Sequence, residues 1–358
     1  MKNSSPLGNK RKTIDSIDSE LLALLNKRAA IAVEIGKIKE KNGDDIFSSA
    51  REREILERLT EESRGPLSPD AVEDIFQSIL TSCRSLQKHF QVAFFGPEAT
   101  FTHQLALKHF GTNCGYTPVP SIKDVFREVE MKRADYGVVP VENSTEGIVN
   151  HTLDMFVNSE LVIVAEREEP ITENLFSSSG NLKSVKSVYS HPQPLAQCRE
   201  WLDTHLPGVA IHEAASTADA SIRATLDPSV AAIASALAGK LYNLKAIATK
   251  IEDSADNMTR FLIIGRAVTP PSGHDKTSIL FSVKDRVGAL YEMLKPFRKA
   301  GLNLTKIESR PTKRKAWEYI FFVDFIGHHS EKRVQKALAE LQKNCTRLKI
   351  LGSYPFIN

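Results

Sequence analysis

Between Arg11 and Lys39 the chain reads RKTIDSIDSELLALLNKRAAIAVEIGKIK. Alternating steps of three and four collect Arg11, Ile14, Asp18, Leu21, Leu25, Arg28, Ala32, Ile35 and Lys39 on one stripe. That spacing is a heptad seam, so the segment is predicted to be a long helix facing another helix. Three seam positions carry a full positive charge, and a buried cation without a partner is costly. Either these side chains snorkel out of an ordinary seam or they meet an anionic ligand. At about 1.5 Å of rise per residue, Arg28 and Lys39 lie roughly 16 Å apart and can converge on one small ligand. Arg11 lies about 25 Å from Arg28, too far to share that ligand within one straight helix, so an antiparallel second chain would have to supply it.

The rest of the first ninety residues follows the same pattern. Residues 1–10 are polar and expected to be disordered, and Asn42-Gly43 marks the end of the long helix. Ser49 with Glu52 three residues on forms a capping box for a second helix, Arg51 to about Thr60. Ser68-Pro69 opens a third, with Val72, Phe76, Ile79, Cys83 and Leu86 on its apolar face and Gln87 one step away. Three such helices make a poor core alone, which predicts an intertwined dimer. The whole chain, at 358 residues, is long enough for two or three domains. Its 41% hydrophobic and 25% charged residues suit a soluble globular protein, and a net charge of +3 does not imply nucleic acid. No apolar run is long enough to span a bilayer, and the N-terminus lacks the apolar core of a signal peptide. Cys83, Cys114, Cys198 and Cys345 show no metal or redox spacing, so they read as free thiols in a reducing, cytoplasmic setting.

From Gln91 short β-like runs alternate with helical ones. VAFF precedes a helix over 102–110, YTPV one over 121–133 and YGVVPV one over 145–156, and LVIVAE closes the set. SVYS, VAIHEA and VAAIAS then precede helices over 195–205, 216–226 and 236–241, and FLIIG closes the second set. This predicts an α/β domain of two lobes with a cleft between them. After a Pro-Pro-Ser-Gly linker, residues 276–356 read βαββαβ, a ferredoxin-like order whose sheet is expected to bury one face. The predicted domains are therefore 1–90, 91–267 and 276–356.

Arg28, Lys39, Arg51, Glu52 and Gln87 are the polar groups on or beside the apolar faces of the helical segment, a set suited to a small dianion with ether and hydroxyl oxygens. With Arg11, ALLNKR ending at Arg28, VEIGKIK ending at Lys39, RERE from Arg51 and Gln87, the stretch from Arg11 to Gln87 resembles the all-helical chorismate mutases. The resemblance implies that Arg11 of a partner chain, Arg28 and Arg51 hold two substrate carboxylates. It implies that Lys39 and Gln87 donate to the ether oxygen, and that Glu52 orients the ring hydroxyl. Glu52 keeps its other reading as the capping-box acid. Ser48 and Cys83 stand where one branch of that family has an acid and a serine, so a tuned activity is expected there.

Four polar loop motifs border the α/β strands: GPEATFTHQ (96–104), VPVENSTEGIVNHTLD (139–154), YSHPQPLAQCR (189–199) and DNMTRFLIIG (256–265). Singly each is weak, and ENSTEG alone suits a turn in which Ser144 or Thr145 caps a helix. In combination they resemble prephenate dehydratase over roughly residues 91–266. The resemblance implies loss of a ring hydroxyl with carbon dioxide, giving phenylpyruvate, and assigns the hydroxyl step to Thr259. A threonine hydroxyl is a very weak acid, so it positions or relays a proton better than it supplies one. Glu142, Asn143, Ser144, Thr145, Ser190, Gln197 and Phe261 are implied as support. Thr100, before a helix N-terminus with Thr102, suits a carboxylate. Arg260 either pairs with a carboxylate or anchors its strand. His103 and His191 are candidate acids or structural histidines.

DRVGALYEML (285–294) and KIESRPTK (306–313) give the C-terminal unit its resemblance to the ACT domains attached to such dehydratases, with Val287 where proline is more usual. That implies phenylalanine binding around Gly288, Ala289, Leu290, Glu308, Ser309, Arg310 and Pro311. The expectation is a bifunctional enzyme taking chorismate through prephenate to phenylpyruvate. It would be restrained by phenylalanine, homodimeric or larger, and without metal, nucleotide or redox cofactor. Two competitors are a dehydratase whose helices only dimerise and a two-lobed amino-acid-sensing binding protein.

Overall fold

The structure, a computed structural model, describes residues 6–42, 49–254, 256–283, 286–311 and 319–356. These fall into two compact units divided between Phe90 and Gln91, with Phe110–Gly115 grouped with the first. Among the described residues no helix is long and apolar enough to cross a membrane.

The first unit is helical: α1 (Pro6–Asn42), α2 (Ser49–Glu62) and α3 (Pro69–Gln87). Helix α1 begins at Pro6, inside the stretch expected to be disordered, because proline suits the first turn of a helix. Its C-terminal half packs on α3, burying Ala32 and Gly36 and half-burying Leu25, Arg28 and Lys39. Gly36, not the predicted Ile35, occupies the contact; a Cβ there would meet the Gln87 Cβ at 2.8 Å. The N-terminal half is bare. Ile14, Ile17, Leu21, Leu22 and Leu24 are each more than half exposed, and they project from a helix about 55 Å long.

The second unit begins with a lobe built on one mixed sheet. Its strands are β1 (Gln91–Phe95), β2 (Gly115–Val119), β3 (Tyr136–Asn143), β4 (Gly147–Ile148), β5 (Val162–Pro170) and β11 (Met258–Gly265). They run in the order β2-β1-β3-β11-β5, with β4 on β3. Helices α4 (Phe101–Phe110), α5 (Ile122–Glu130) and α6 (Asn150–Asn158) connect them; α5 buries Ile122, Val125, Phe126 and Val129 below a Ser121 cap. The helix expected from Thr145 starts only at Asn150. Asn143 Oδ1 accepts the N–H groups of Thr145 (2.9 Å) and Glu146 (3.1 Å), and Gly147 takes a positive φ of 82°, so the chain turns back before it can coil. Neither Ser144 nor Thr145 caps a helix.

The second lobe carries β6 (Asn174–Ser177), β7 (Ser187–Ser190), β8 (Ala210–Glu213), β9 (Val230–Ala234) and β10 (Lys245–Thr249), in the order β10-β6-β9-β7-β8. Helices α7 (Pro192–Gln197), α8 (Arg199–His205), α9 (Thr217–Leu226) and α10 (Ala236–Leu241) join them. The single helix expected over 195–205 is two short ones meeting at Cys198. Strands β6 and β10 flank the two passages between lobes, and those passages bond to each other. Ile171 N–H donates to the Asn257 carbonyl (2.8 Å) and Ile251 N–H to the Glu173 carbonyl (2.9 Å).

The same unit ends in β12 (Asp275–Val283), α11 (Ala289–Lys299), β13 (Leu304–Pro311), β14 (Tyr319–Ile326), α12 (Lys332–Gln342) and β15 (Arg347–Pro355), with sheet order β13-β14-β12-β15. This is the predicted ferredoxin-like arrangement, but its sheet buries both faces. Ile279, Phe281 and Val283 lie under α11 and α12, whereas Leu280, Phe322, Leu351 and Tyr354 join the core of the first lobe. At Gly352 the β15 backbone crosses the β5 backbone so closely that a Cβ would collide with Ile163. Apolar residues at alternate positions on both faces make this possible.

Candidate active and effector sites

On the helical unit Arg28, Lys39, Cys83 and Gln87 are carried by the two helices that meet at the α1–α3 contact. Gly36 seats Gln87, and Lys39 lies three residues on, hence on the same side of α1. Arg28 is half-buried two turns earlier, and Cys83 is buried one turn before Gln87. Glu52 accepts a 2.7 Å hydrogen bond from the buried Arg84 guanidinium. That ties α2 to α3 and gives Glu52 a structural partner that the sequence reading lacked. Arg51, exposed, meets Glu54 at 2.6 Å. Arg11 lies on the bare half of α1, and Ser48 lies outside the described residues.

In the α/β unit the dehydratase motifs divide across one sheet. Thr259 of β11 pairs with Asn143 of β3, and Arg260 pairs with Glu142. Neighbouring residues of a strand face opposite ways, so Asn143 and Thr259 share one face and Glu142 and Arg260 the other. On the first face Asn143 Nδ2 donates to Thr259 Oγ1 and to Asn257 Oδ1, both at 2.8 Å. The Thr259 oxygen is thereby an acceptor from Asn143, which leaves its own proton to donate. Ser144 fastens the corner, donating to the Asp256 carbonyl (2.9 Å) and accepting Met258 N–H (3.0 Å). Thr145 holds the Asn143 amide through its backbone.

Glu142 and Arg260 turn instead to the C-terminal sheet. The Arg260 guanidinium bonds Glu142, Glu166 and Asp324, each at 3.1 Å; Lys276 bonds Glu166, and Lys306 bonds Glu142 at 2.6 Å. Burial pushes the Glu142 carboxyl up, but the Lys306 and Arg260 charges outweigh it and hold it below its usual range. Arg260 thus ties β11 to the C-terminal sheet, and with Glu142 it lines a pocket of 340 Å³ on that face, opposite Asn143 and Thr259. Removing one member of so buried a network leaves its partners uncompensated, at a cost of about 3–5 kcal/mol.

The other residues predicted for the cleft come from both lobes. Thr100 caps α4, donating to the Pro97 carbonyl (3.1 Å) and accepting His103 N–H (3.4 Å). The loop before it is clasped from the second lobe by Ser235, which donates to the Ala99 carbonyl at 2.8 Å. Ser190 is fully buried and donates to the Ile233 carbonyl (2.7 Å), so it supports β7 and β9. Phe261 is core, 2% exposed. His103 accepts Ala99 N–H at 3.0 Å while stacked on Phe94, and burial lowers its pKa; His191 caps α7. Each imidazole thus accepts a backbone N–H through Nδ1.

Among the described residues, three side chains near the passages between lobes keep polar atoms that are buried and without partners: Gln197 (amide oxygen and nitrogen), Asn257 Nδ2, and both carboxyl oxygens of Glu173. Only Gln197 was expected from sequence. Asn257 was legible in principle, two residues before Thr259, whereas Glu173 sits where no strand was predicted. Burial, then the nearby Glu252 charge, pushes the Glu173 carboxyl up to about 8. The sign follows: above the ordinary carboxyl range near 4.5 the unfolded chain releases this proton while the folded chain keeps it. Stability is therefore lost as pH rises toward 8, at up to about 1.4 kcal/mol per pH unit. Melting curves should show the wild type losing stability relative to Glu173→Gln between pH 5 and pH 8; parallel curves would contradict the raised pKa.

The C-terminal unit divides its predicted residues in the same way. Gly288, with φ 76°, opens α11, and Gly288, Ala289 and Leu290 line a 250 Å³ pocket with Val283, Tyr291 and Phe321. Ser309 pairs with Phe321 on that side of the sheet. Glu308 and Arg310 pair with Phe322 and Ile320 on the face turned to the first lobe, where Arg310 meets Asp154 at 3.3 Å. Pro311 ends β13, exposed.

Sequence models of three families match the chain: chorismate mutase type II over residues 10–88, prephenate dehydratase over 92–269 and the ACT domain over 277–342. A bifunctional chorismate mutase/prephenate dehydratase of Aquifex aeolicus (strain VF5) is 53% identical over 349 residues, 96% of each chain. The solved prephenate dehydratase from Arthrobacter aurescens in complex with L-Phe is 35% identical with a TM-score of 0.68, covering 74% of this chain and 90% of that one. A structure described as GqqA, a novel type of quorum quenching acylase, is 28% identical with a TM-score of 0.69, covering 75% and 98%. With sequence identity of that order over nearly its whole length, the chain belongs to the bifunctional chorismate mutase/prephenate dehydratase family.

Proposed function

We propose that the protein converts chorismate to prephenate on its helical unit and prephenate to phenylpyruvate on its α/β unit, with phenylalanine as inhibitor, in the cytoplasm. The observation that carries the reading is the Asn143–Thr259 pair, in which the Asn143 amide donates to the Thr259 hydroxyl and leaves that hydroxyl its own proton to donate. The mutase step moves no proton, so its site needs only to confine a reactive conformer and stabilise charge growing on the ether oxygen. Lys39 and Gln87 donate to that oxygen, while Arg28 and Arg51 hold the carboxylates. Arg11 comes from a second copy of the chain, and the bare apolar half of α1 supports that homodimer. Ser48 and Cys83 border this site and tune it.

In the dehydratase step the C1–carboxylate bond breaks, its electrons aromatise the ring, and the C4 hydroxyl departs. Thr259 donates to that oxygen, Asn143 fixes Thr259, and Gln197 and Thr100 face the rest of the substrate. Phenylalanine binds by the Gly288–Leu290 turn. The ion network from Lys306 and Asp324 to Arg260 connects the ACT sheet to the residue next to Thr259. In the purified full chain, prephenate should be consumed and phenylalanine should slow that turnover. Prephenate left unchanged with and without phenylalanine would favour a non-catalytic binding protein.

A further inference from the structure

The C-terminal sheet is fixed to the first lobe unevenly. At β15 its backbone lies against that of β5, at Gly352 and Ile163, and Leu280, Phe322, Leu351 and Tyr354 pack into the core of the lobe. Strand β13 is the opposite edge of the same sheet. There a 340 Å³ pocket is lined from both sides, by Thr305, Lys306 and Asp324 of the C-terminal sheet and by Glu142 and Arg260 of the lobe. Ion pairs bridge it in place of packing. Lys306 Nζ donates to Glu142 Oε2 (2.6 Å), Arg260 Nη1 donates to Asp324 Oδ2 (3.1 Å), and Ser278 of β12 holds Asp324 Oδ1 at 2.6 Å.

The lobe residues at the far end of these bonds are strand neighbours of the dehydratase pair. Glu142 precedes Asn143 on β3 and Arg260 follows Thr259 on β11, and the two pairs form adjacent rungs of one ladder. Directly beyond them the ladder is interrupted: Arg260 pairs with Glu142 but Phe261 with Pro140, so β3 bulges at Val141. A bulge breaks the pairing locally and re-aims the side chains beside it. On the β3 side, the rungs that carry Asn143 and Thr259 are therefore separated from the regular ladder, and the ion pairs of Glu142 with Arg260 and Lys306 hold them.

The same edge of the C-terminal sheet meets the effector pocket. Phe321 of β14 lines that pocket and pairs with Ser309 of β13. Lys306 and Asp324 pair with each other on the same two strands, three residues away and hence on the opposite face. We propose that Lys306 and Asp324 are positioning residues for dehydration, setting the Asn143–Thr259 geometry through Glu142 and Arg260. Phenylalanine beside Phe321 slows the reaction by shifting β13 and β14, and with them these two bonds. A displacement of about 1 Å in a catalytic donor is enough to cost about a hundredfold in rate.

This inference rests on the dehydratase and effector readings above, and the measurements separate it from them. The full-length protein is assayed with prephenate, with and without phenylalanine, while calorimetry follows phenylalanine binding and chorismate consumption is the internal control. Lys306→Met keeps the length of the side chain without its charge, and Glu142 retains its bond to Arg260. It should lower the prephenate kcat about ten- to a hundredfold, with KM changed by less than about threefold and the mutase rate intact. Phenylalanine should still bind, yet no longer slow the remaining turnover. Lys306→Arg should recover most of the rate and of the inhibition. Asp324→Asn, which can still accept from Ser278, should repeat the Lys306→Met result, and it decides the matter should Lys306→Met fail to fold. Folded variants that keep wild-type kcat and full inhibition, with only a lowered melting temperature, overturn the proposal. So does inhibition lost together with phenylalanine binding. A wild-type protein that never consumes prephenate, or binds no phenylalanine, would refute the underlying readings instead.

Discussion

Prephenate turnover is expected to fall at least about a hundredfold in Thr259→Ala, while chorismate consumption continues at the wild-type rate. Thr259 is 7% exposed, and among the described residues its hydroxyl has one partner, Asn143. Its loss removes a neutral hydrogen bond, a cost of about 1 kcal/mol that leaves β11 in the middle of its sheet and the fold intact. The Asn143 amide keeps Asn257, so the damage is confined to the donor that meets the leaving oxygen. Thr259→Ser, which restores that donor, should recover much of the rate. Equal loss of both activities in the alanine variant would mean that the two sites are not separate.

Lys39→Ala should have the reciprocal effect: mutase turnover lowered by about two to three orders of magnitude, prephenate turnover unaltered. The lysine stands one turn beyond Gly36, whose lack of a side chain lets Gln87 approach α1. The two donors proposed for the ether oxygen therefore come from facing sides of one helix contact, and removing the charged one leaves an amide that stabilises a growing anion less well. Lys39 is only half-buried, so its truncation should not unfold α1, which a circular dichroism spectrum would check. An unchanged mutase rate would sink the helical-site assignment.

The elements legible in sequence were those with strong periodicity. The heptad stripe gave α1, the alternation of strands and helices gave two lobes, and βαββαβ gave the C-terminal unit. Side-chain direction was less accessible. Ile35 reads as a seam residue by spacing, but the contact uses Gly36, because backbone approach matters more there than apolarity. Glu142 and Asn143 look alike as loop polar residues, yet a strand running to Asn143 sends them to opposite faces. The turn that breaks the helix expected at Thr145 depends on the Asn143 side chain capturing two backbone N–H groups. Strands β6 and β10 are short and flank the passages between lobes, where pairing partners are distant in sequence. Glu173 went unnoticed with them, since nothing local distinguishes a buried acid from a surface one.

The central claim is that one chain carries two sites acting in succession, and a time course with chorismate as sole substrate tests it most directly. The wild-type protein should consume chorismate, pass through prephenate and form phenylpyruvate, and Thr259→Ala should stop with prephenate accumulated in proportion to the chorismate lost. Chorismate left untouched by either protein, or phenylpyruvate formed by Thr259→Ala at the wild-type rate, would contradict it.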